Sequence, residues 1–177
     1  RRSSSIHRKR QSYTKEQGYK ADECSGIIKT PDGKIWIATR AGLVSYDKTL
    51  DKKNRVAPFV NLTGIYLFLE KPDWEKLSIT QFDGNIPKNP EFDHNINYFT
   101  FYYNGISYSG PTGVLYTHCL QGFESKWSPV SKSTQVSYSN LTPGSYTFQV
   151  KACNADGIWS KPLLYSFVIN PAFWQTT

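Results

Sequence analysis

The sequence predicts an all-β protein, a β-sandwich preceded by a three-strand β-meander. Aromatic residues make up 15% of the chain, with 12 Tyr and 10 Phe, a composition that suits pleated, half-buried surfaces better than helices. Short β-prone segments recur at about ten-residue spacing between clusters of Gly, Pro, Asn and Ser, the pattern of a sandwich. No segment repeats its apolar residues at three and four over ten or more positions, so helix content should be very low. Only 72–77 could make a short helical turn.

The meander is read from Ile27-Ile28-Lys29-Thr30, then Pro31-Asp32-Gly33-Lys34, then Ile35-Trp36-Ile37-Ala38-Thr39. This is strand, tight turn, strand, with Asp-Gly as the hairpin signal. Leu43-Val44-Ser45-Tyr46-Asp47 adds a third strand after a very short connection, which makes the pairing antiparallel. Lys48 to Arg55 is polar and charged without apolar periodicity, so it is the best linker candidate and places a boundary near residue 55.

Beyond the linker, Leu62 to Leu69 is a long β-prone run closed by Lys71-Pro72-Asp73, and Leu77 to Phe82 is a short strand candidate. Gly84 to Pro90 reads as a loop. Ile96 to Tyr103 sets Ile96, Tyr98 and Tyr102 against Phe99, Phe101 and Tyr103, so both faces of that strand are aromatic. Strands follow at Val114 to Leu120, Thr134 to Tyr138, Tyr146 to Ala152 and Leu163 to Ile169. The clearest alternation puts Tyr146, Phe148, Val150 and Ala152 on one face and Thr147, Gln149 and Lys151 on the other, one face for the core and one for water. Leu141-Thr142-Pro143-Gly144-Ser145-Tyr146 has the layout of a tyrosine corner, a device of Greek-key sandwiches.

The 177 residues carry a formal charge of +7, but the excess is local. Arg1, Arg2, Arg8, Lys9, Arg10, Lys15 and Lys20 against Glu16 give residues 1–20 a net of +6. A basic pI concentrated in a Ser- and Arg-rich end describes a solvated tail rather than a nucleic-acid-binding face, so no nucleic acid partner is expected. The longest apolar run is about five residues, far below the roughly 18 that cross a bilayer. The chain begins at Arg1 and contains no Met, so it is read as a piece of a longer protein. Cys24, Cys119 and Cys153 show neither a C-x-x-C pair nor a His at zinc spacing, which argues against a metal site. His7, His94 and His118 fall into no nucleophilic arrangement and no phosphate-binding glycine motif is present, so neither catalysis nor a cofactor is indicated.

Asp32-Gly33-Lys34-Ile35-Trp36-Ile37-Ala38-Thr39 through Gly42-Leu43 and Tyr46-Asp47 closely resembles the repeat of two-component-regulator β-propellers. The remainder resembles the Y_Y_Y module that follows such propellers, through Asn97 to Phe101, Tyr108 to Pro111, Leu120-Gln121-Gly122-Phe123-Glu124-Ser125-Lys126-Trp127, Leu141 to Gly144 and Tyr146 to Ser160. Phe173-Trp174-Gln175-Thr176 resembles the segment leading into a membrane helix. The pattern departs at His118-Cys119, where an aromatic and a basic residue are more usual. The resemblance implies an immunoglobulin/fibronectin-III-like sandwich in the extracytoplasmic sensor region of a hybrid histidine kinase. It divides the chain into a basic tail (1–24), a blade-like meander and linker (25–55), the Y_Y_Y sandwich (56–171) and a juxtamembrane segment (172–177). It also implies a periplasmic place in an inner-membrane protein, with a homodimer, a propeller and a transmembrane helix of the same parent as partners, and an oligosaccharide as the sensed ligand. The alternative is a fibronectin-III-like accessory or carbohydrate-binding module of a secreted enzyme.

Trp127, Trp159 and Trp174 are the aromatic candidates for stacking on a sugar ring, with core or edge packing as the competing role. Trp36 belongs to the meander, whose faces a lone blade cannot bury. Tyr146, Leu141 and Pro143 are structural residues of the corner, and Gly157 closes the Asn154-Ala155-Asp156-Gly157 turn, which has too few ligands for calcium. Cys119 and Cys153 fall on strands expected to neighbour each other, leaving either a disulfide or two half-buried thiols.

Overall fold

The computed structural model describes residues 24–40, 42–47, 55–107 and 113–172. Except for Cys24, the basic tail lies outside them, as do the linker up to residue 54 and residues 173–177, including Trp174. The chain divides into two units between Lys53 and Asn54.

In the first unit, β1 (Cys24–Lys29), β2 (Ile35–Thr39) and β3 (Gly42–Tyr46) form an antiparallel sheet in sequence order. The turn between β1 and β2 uses Gly33 at φ +87°, which a residue with a side chain adopts only at a cost. Three strands cannot cover two apolar faces: Ile27, Ile28 and Leu43 are exposed, and Trp36 is half-buried.

The second unit contains β4 (Phe59–Leu67), β5 (Phe82–Asp83), β6 (Ile86–Pro87), β7 (Glu91–Phe92), β8 (Phe99–Ile106), β9 (Leu115–Gln121), β10 (Gln135–Tyr138), β11 (Gly144–Cys153) and β12 (Leu163–Ile169). A three-stranded sheet, β10-β8-β4, faces a four-stranded one, β7-β12-β11-β9. This is an immunoglobulin/fibronectin-III-like sandwich, with no α-helix among the described residues. The core forms where the inward phases meet: Phe101 stacks on Phe148 with centroids 4.3 Å apart, and Phe99 on Phe167 at 4.7 Å. Tyr103, Leu120, Val150 and Ile169 complete the layer, each at most 1% exposed. Along β8, Phe99, Phe101 and Tyr103 point inward while Tyr102 turns outward onto Tyr66.

Two segments differ from expectation. Leu77 to Phe82 is not a strand: the Ser78 amide donates to the Glu75 carbonyl and the Ile79 amide to that of Trp74, winding the backbone through turns with Ser78 at φ +57°. Only Phe82–Asp83 extends, pairing with Ile86–Pro87 inside the expected Gly84–Pro90 loop. The long run ending at Leu69 stops at Leu67, because Leu67 and Glu70 exchange backbone hydrogen bonds and close a two-residue turn on Phe68 and Leu69.

Strand direction sets what each end of the sandwich carries. β4 and β12 run the same way in facing sheets. Phe59, opposite Ile106, and Leu163, opposite Val150, lie at the upstream pole. Leu67, opposite Phe99, and Ile169, opposite Gly144, lie at the exit pole, where Phe92 pairs with Ile169 and packs on Phe99 at 5.0 Å.

Candidate functional site

On the outer face of the four-stranded sheet, β11 presents Lys151 between two indoles. Its Nζ lies 4.3 Å from the ring centroid of Trp127 and 5.5 Å from that of Trp159, within cation–π range. Both rings are more than a third exposed, at 38% and 39%. Trp159 is held by a bridge to Cys153, and the Ser160 hydroxyl accepts from the Ala152 amide at 3.0 Å. The sequence candidates Trp127 and Trp159 therefore come together around a lysine, an arrangement that neither residue's local sequence revealed.

The Trp159 loop is organised by Asn154, 3% exposed. Its Oδ1 accepts from the amides of Asp156 (3.0 Å) and Ile158 (2.9 Å), and its Nδ2 donates to the Val56 carbonyl at 3.0 Å. Gly157 completes the turn at φ +86°. The loop that carries Trp159 is thus tied to the segment entering the sandwich. At the exit pole, the Tyr146 hydroxyl donates to the Thr142 carbonyl at 2.6 Å, spanning the turn through Pro143; Leu141 is buried and its amide donates to the Asn97 carbonyl.

A second cluster links the two sheets through the interior. The Tyr138 hydroxyl of β10 donates to Glu124 Oε2 at 3.0 Å, and the same oxygen accepts the Leu120 amide at 2.8 Å. Since Tyr138 spends its proton on the carboxylate, its oxygen accepts from His118 Nδ1, 3.0 Å away, which fixes the Nδ1–H tautomer of His118. Burial lowers the His118 pKa below the usual imidazole value, and the Glu124 charge opposes that shift. Burial raises the Tyr138 pKa, with the Glu124 charge adding to it. In the sequence His118 stands out as a departure from a pattern and belongs to no nucleophilic arrangement; Glu124 and Tyr138 carry no local signal of this role, because their partners are distant in sequence.

The cysteines are free thiols. Cys119 lies opposite Gln149 and Cys153 opposite Leu115, four rungs apart on adjacent strands. At about 3.3 Å per residue this separates them by roughly 13 Å, beyond the reach of a disulfide. A cleft of about 600 Å³ opens between the bulged part of β4, the β5–β6 turn and the Leu163–Ser166 edge of β12. Among the described residues, no three His, Cys, Asp or Glu gather as metal ligands.

Residues 107–170 match the Y_Y_Y domain, covering β9 to β12 with the Glu124 turn and the tyrosine corner. The chain is 27% identical over 138 residues to histidine kinase P4 of Formosa agariphila, a match spanning 77% of this chain and 10% of the kinase. Among solved structures it is similar to the extracellular domain of BT3049 from B. thetaiotaomicron, described as a hybrid two component system: 26% identity and a TM-score of 0.61 over 82% of this chain and 20% of that one. The extracellular domain of BT4673 from the same organism, at 19% identity and a TM-score of 0.53, shares the fold. The chain thus spans about a tenth of the curated relative and a fifth of the solved domains. The family match at residues 107–170 thus falls in a chain that is similar to the extracellular domain of a hybrid two component system and to a histidine kinase.

Proposed function

We propose that this chain is the relay segment of a membrane-bound two-component sensor. It stands in the extracytoplasmic, periplasmic part of an inner-membrane parent, between a ligand-sensing propeller and a transmembrane helix. The observation that carries this reading is directional: the chain enters the sandwich at one pole and leaves it at the other, with β4 and β12 running in the same sense in facing sheets. A displacement applied at Val56 reaches Ile169 through a close-packed aromatic core, and such cores transmit strain rather than absorb it. Asn154 and Trp159 stand where the incoming segment meets the sandwich, so the Trp127–Lys151–Trp159 cluster is assigned to that joint. Lys151 lies over both indoles, which supports a packing role for the cluster, and sensing of the oligosaccharide ligand is assigned to the propeller. The chain's own chemistry is packing, and bond-making falls to the kinase portion of the parent.

Relay of this kind works through two copies whose exit poles move relative to each other. Sedimentation of the chain over a concentration series tests it. A concentration-dependent dimer is expected, disrupted by substitutions on the outer sheet faces. A strict monomer at the highest concentration would remove the pairing role from this segment.

A further inference from the structure

The turn between Leu67 and Glu70 holds an unusual pair of residues. Phe68 and Leu69 sit at φ +50° and +67°, the left-handed conformation of a type I′ hairpin turn, where Asn-Gly is the chemistry the backbone favours. Bulky side chains there are strained by about 1–3 kcal/mol each. They are also exposed, at 54% and 63%, so burial in this chain does not offset the strain. Phe68 is held in place: its amide donates to the Tyr98 carbonyl and its ring stacks on Tyr98 with centroids 6.2 Å apart. The result is a small, convex, ordered apolar tip.

Its position in the fold indicates the partner. Leu67 pairs with Phe99, Phe99 packs on Phe92, and Phe92 pairs with Ile169, so the tip shares the exit pole with Ala172, the last described residue. Phe173 and Trp174 follow it in the sequence. On the relay reading, on which this inference rests, that pole faces the bilayer. We propose that Phe68 and Leu69 form a lipid-contacting tip that enters the interfacial region of the membrane and fixes the tilt of the sandwich above it. A deformable apolar phase accepts a two-residue convex tip without a complementary groove, and aromatic side chains suit the headgroup boundary.

The test holds the whole chain on phosphatidylcholine vesicles through a C-terminal hexahistidine tag bound to nickel-chelating lipid, which imposes the orientation. With Cys24→Ser and an environment-sensitive fluorophore at Lys71→Cys beside the tip, brominated phosphatidylcholine should quench the label at least about threefold more than one at Ile106→Cys at the upstream pole. Replacing the pair by Phe68→Asn with Leu69→Gly relieves the turn, so the unfolding midpoint should rise while the quenching at residue 71 is lost. A merely structural turn would not move the two readouts in opposite directions. A silent label at residue 71, or equal quenching with the Asn-Gly tip, overturns the lipid contact in favour of a protein partner. Because the tag sets the orientation, that result leaves the relay reading standing. The relay reading fails separately if, in the membrane-bound parent, thiol reagents reach residues 71 and 106 equally.

Discussion

Gly122 shows how one residue of the Leu120–Trp127 motif earns its identity. It sits at φ +99°, and a Cβ built on it would lie 2.7 Å from the Ser145 carbonyl oxygen, closer than real side chains approach, and a tight 3.0 Å from the Tyr146 ring. Glycine is required there both for conformation and for space. Its turn lets Glu124 fold back, with the Phe123 and Glu124 amides donating to the Leu120 carbonyl and the carboxylate accepting the Leu120 amide. Gly122→Ala should therefore destabilise the sandwich by about 2–4 kcal/mol, combining backbone strain with a clash against backbone. Urea denaturation measures this, and a change below about 0.5 kcal/mol would show that the turn can relax.

At the scale of elements, β9 and β10 belong to different sheets and are joined through His118, Tyr138 and Glu124. Because burial depresses the His118 pKa in the folded state, the unfolded chain takes up this proton first as pH falls. The site's contribution to stability is therefore full above the unfolded value of about 6.5 and declines as pH drops below it towards the folded value. Unfolding midpoints at pH 7.5 and 5.5 should show this loss, and His118→Gln should flatten it; an unchanged slope would assign the acid sensitivity to other groups. Tyr138→Phe removes the bridge and leaves His118 without its acceptor, an expected cost of about 1–3 kcal/mol. None of this link was legible in the sequence, since its partners are 14 and 20 residues apart and meet only once the sheets face each other. The strands that carry it were legible: the alternating phases of Phe99 to Tyr103 and Tyr146 to Ala152 give period-two patterning wherever one face is buried. Turns without turn chemistry were not. Phe68 and Leu69 read as strand because their residue types favour strands, and Leu77 to Phe82 failed for the complementary reason, an apolar segment whose amides close local turns instead of a ladder.

For the whole molecule, the buried apolar cluster is drawn entirely from Val60 to Ile169, while the meander leaves Ile27, Ile28 and Leu43 in water. The sandwich should therefore fold without the meander. Residues 54–177 alone are expected to unfold in one cooperative transition with the midpoint of the full chain; a large drop would show that the first unit contributes to the core. The common direction of β4 and β12 also has a mechanical consequence. Tension applied between the chain's incoming and outgoing ends lies along the strands, so the β4–β8 ladder, which runs from Phe59 opposite Ile106 to Leu67 opposite Phe99, is loaded in shear with its hydrogen bonds sharing the force rather than opening one after another. A module built this way is a stiff strut, one that passes on a pull of a few ångströms at one end as a movement of similar size at the other.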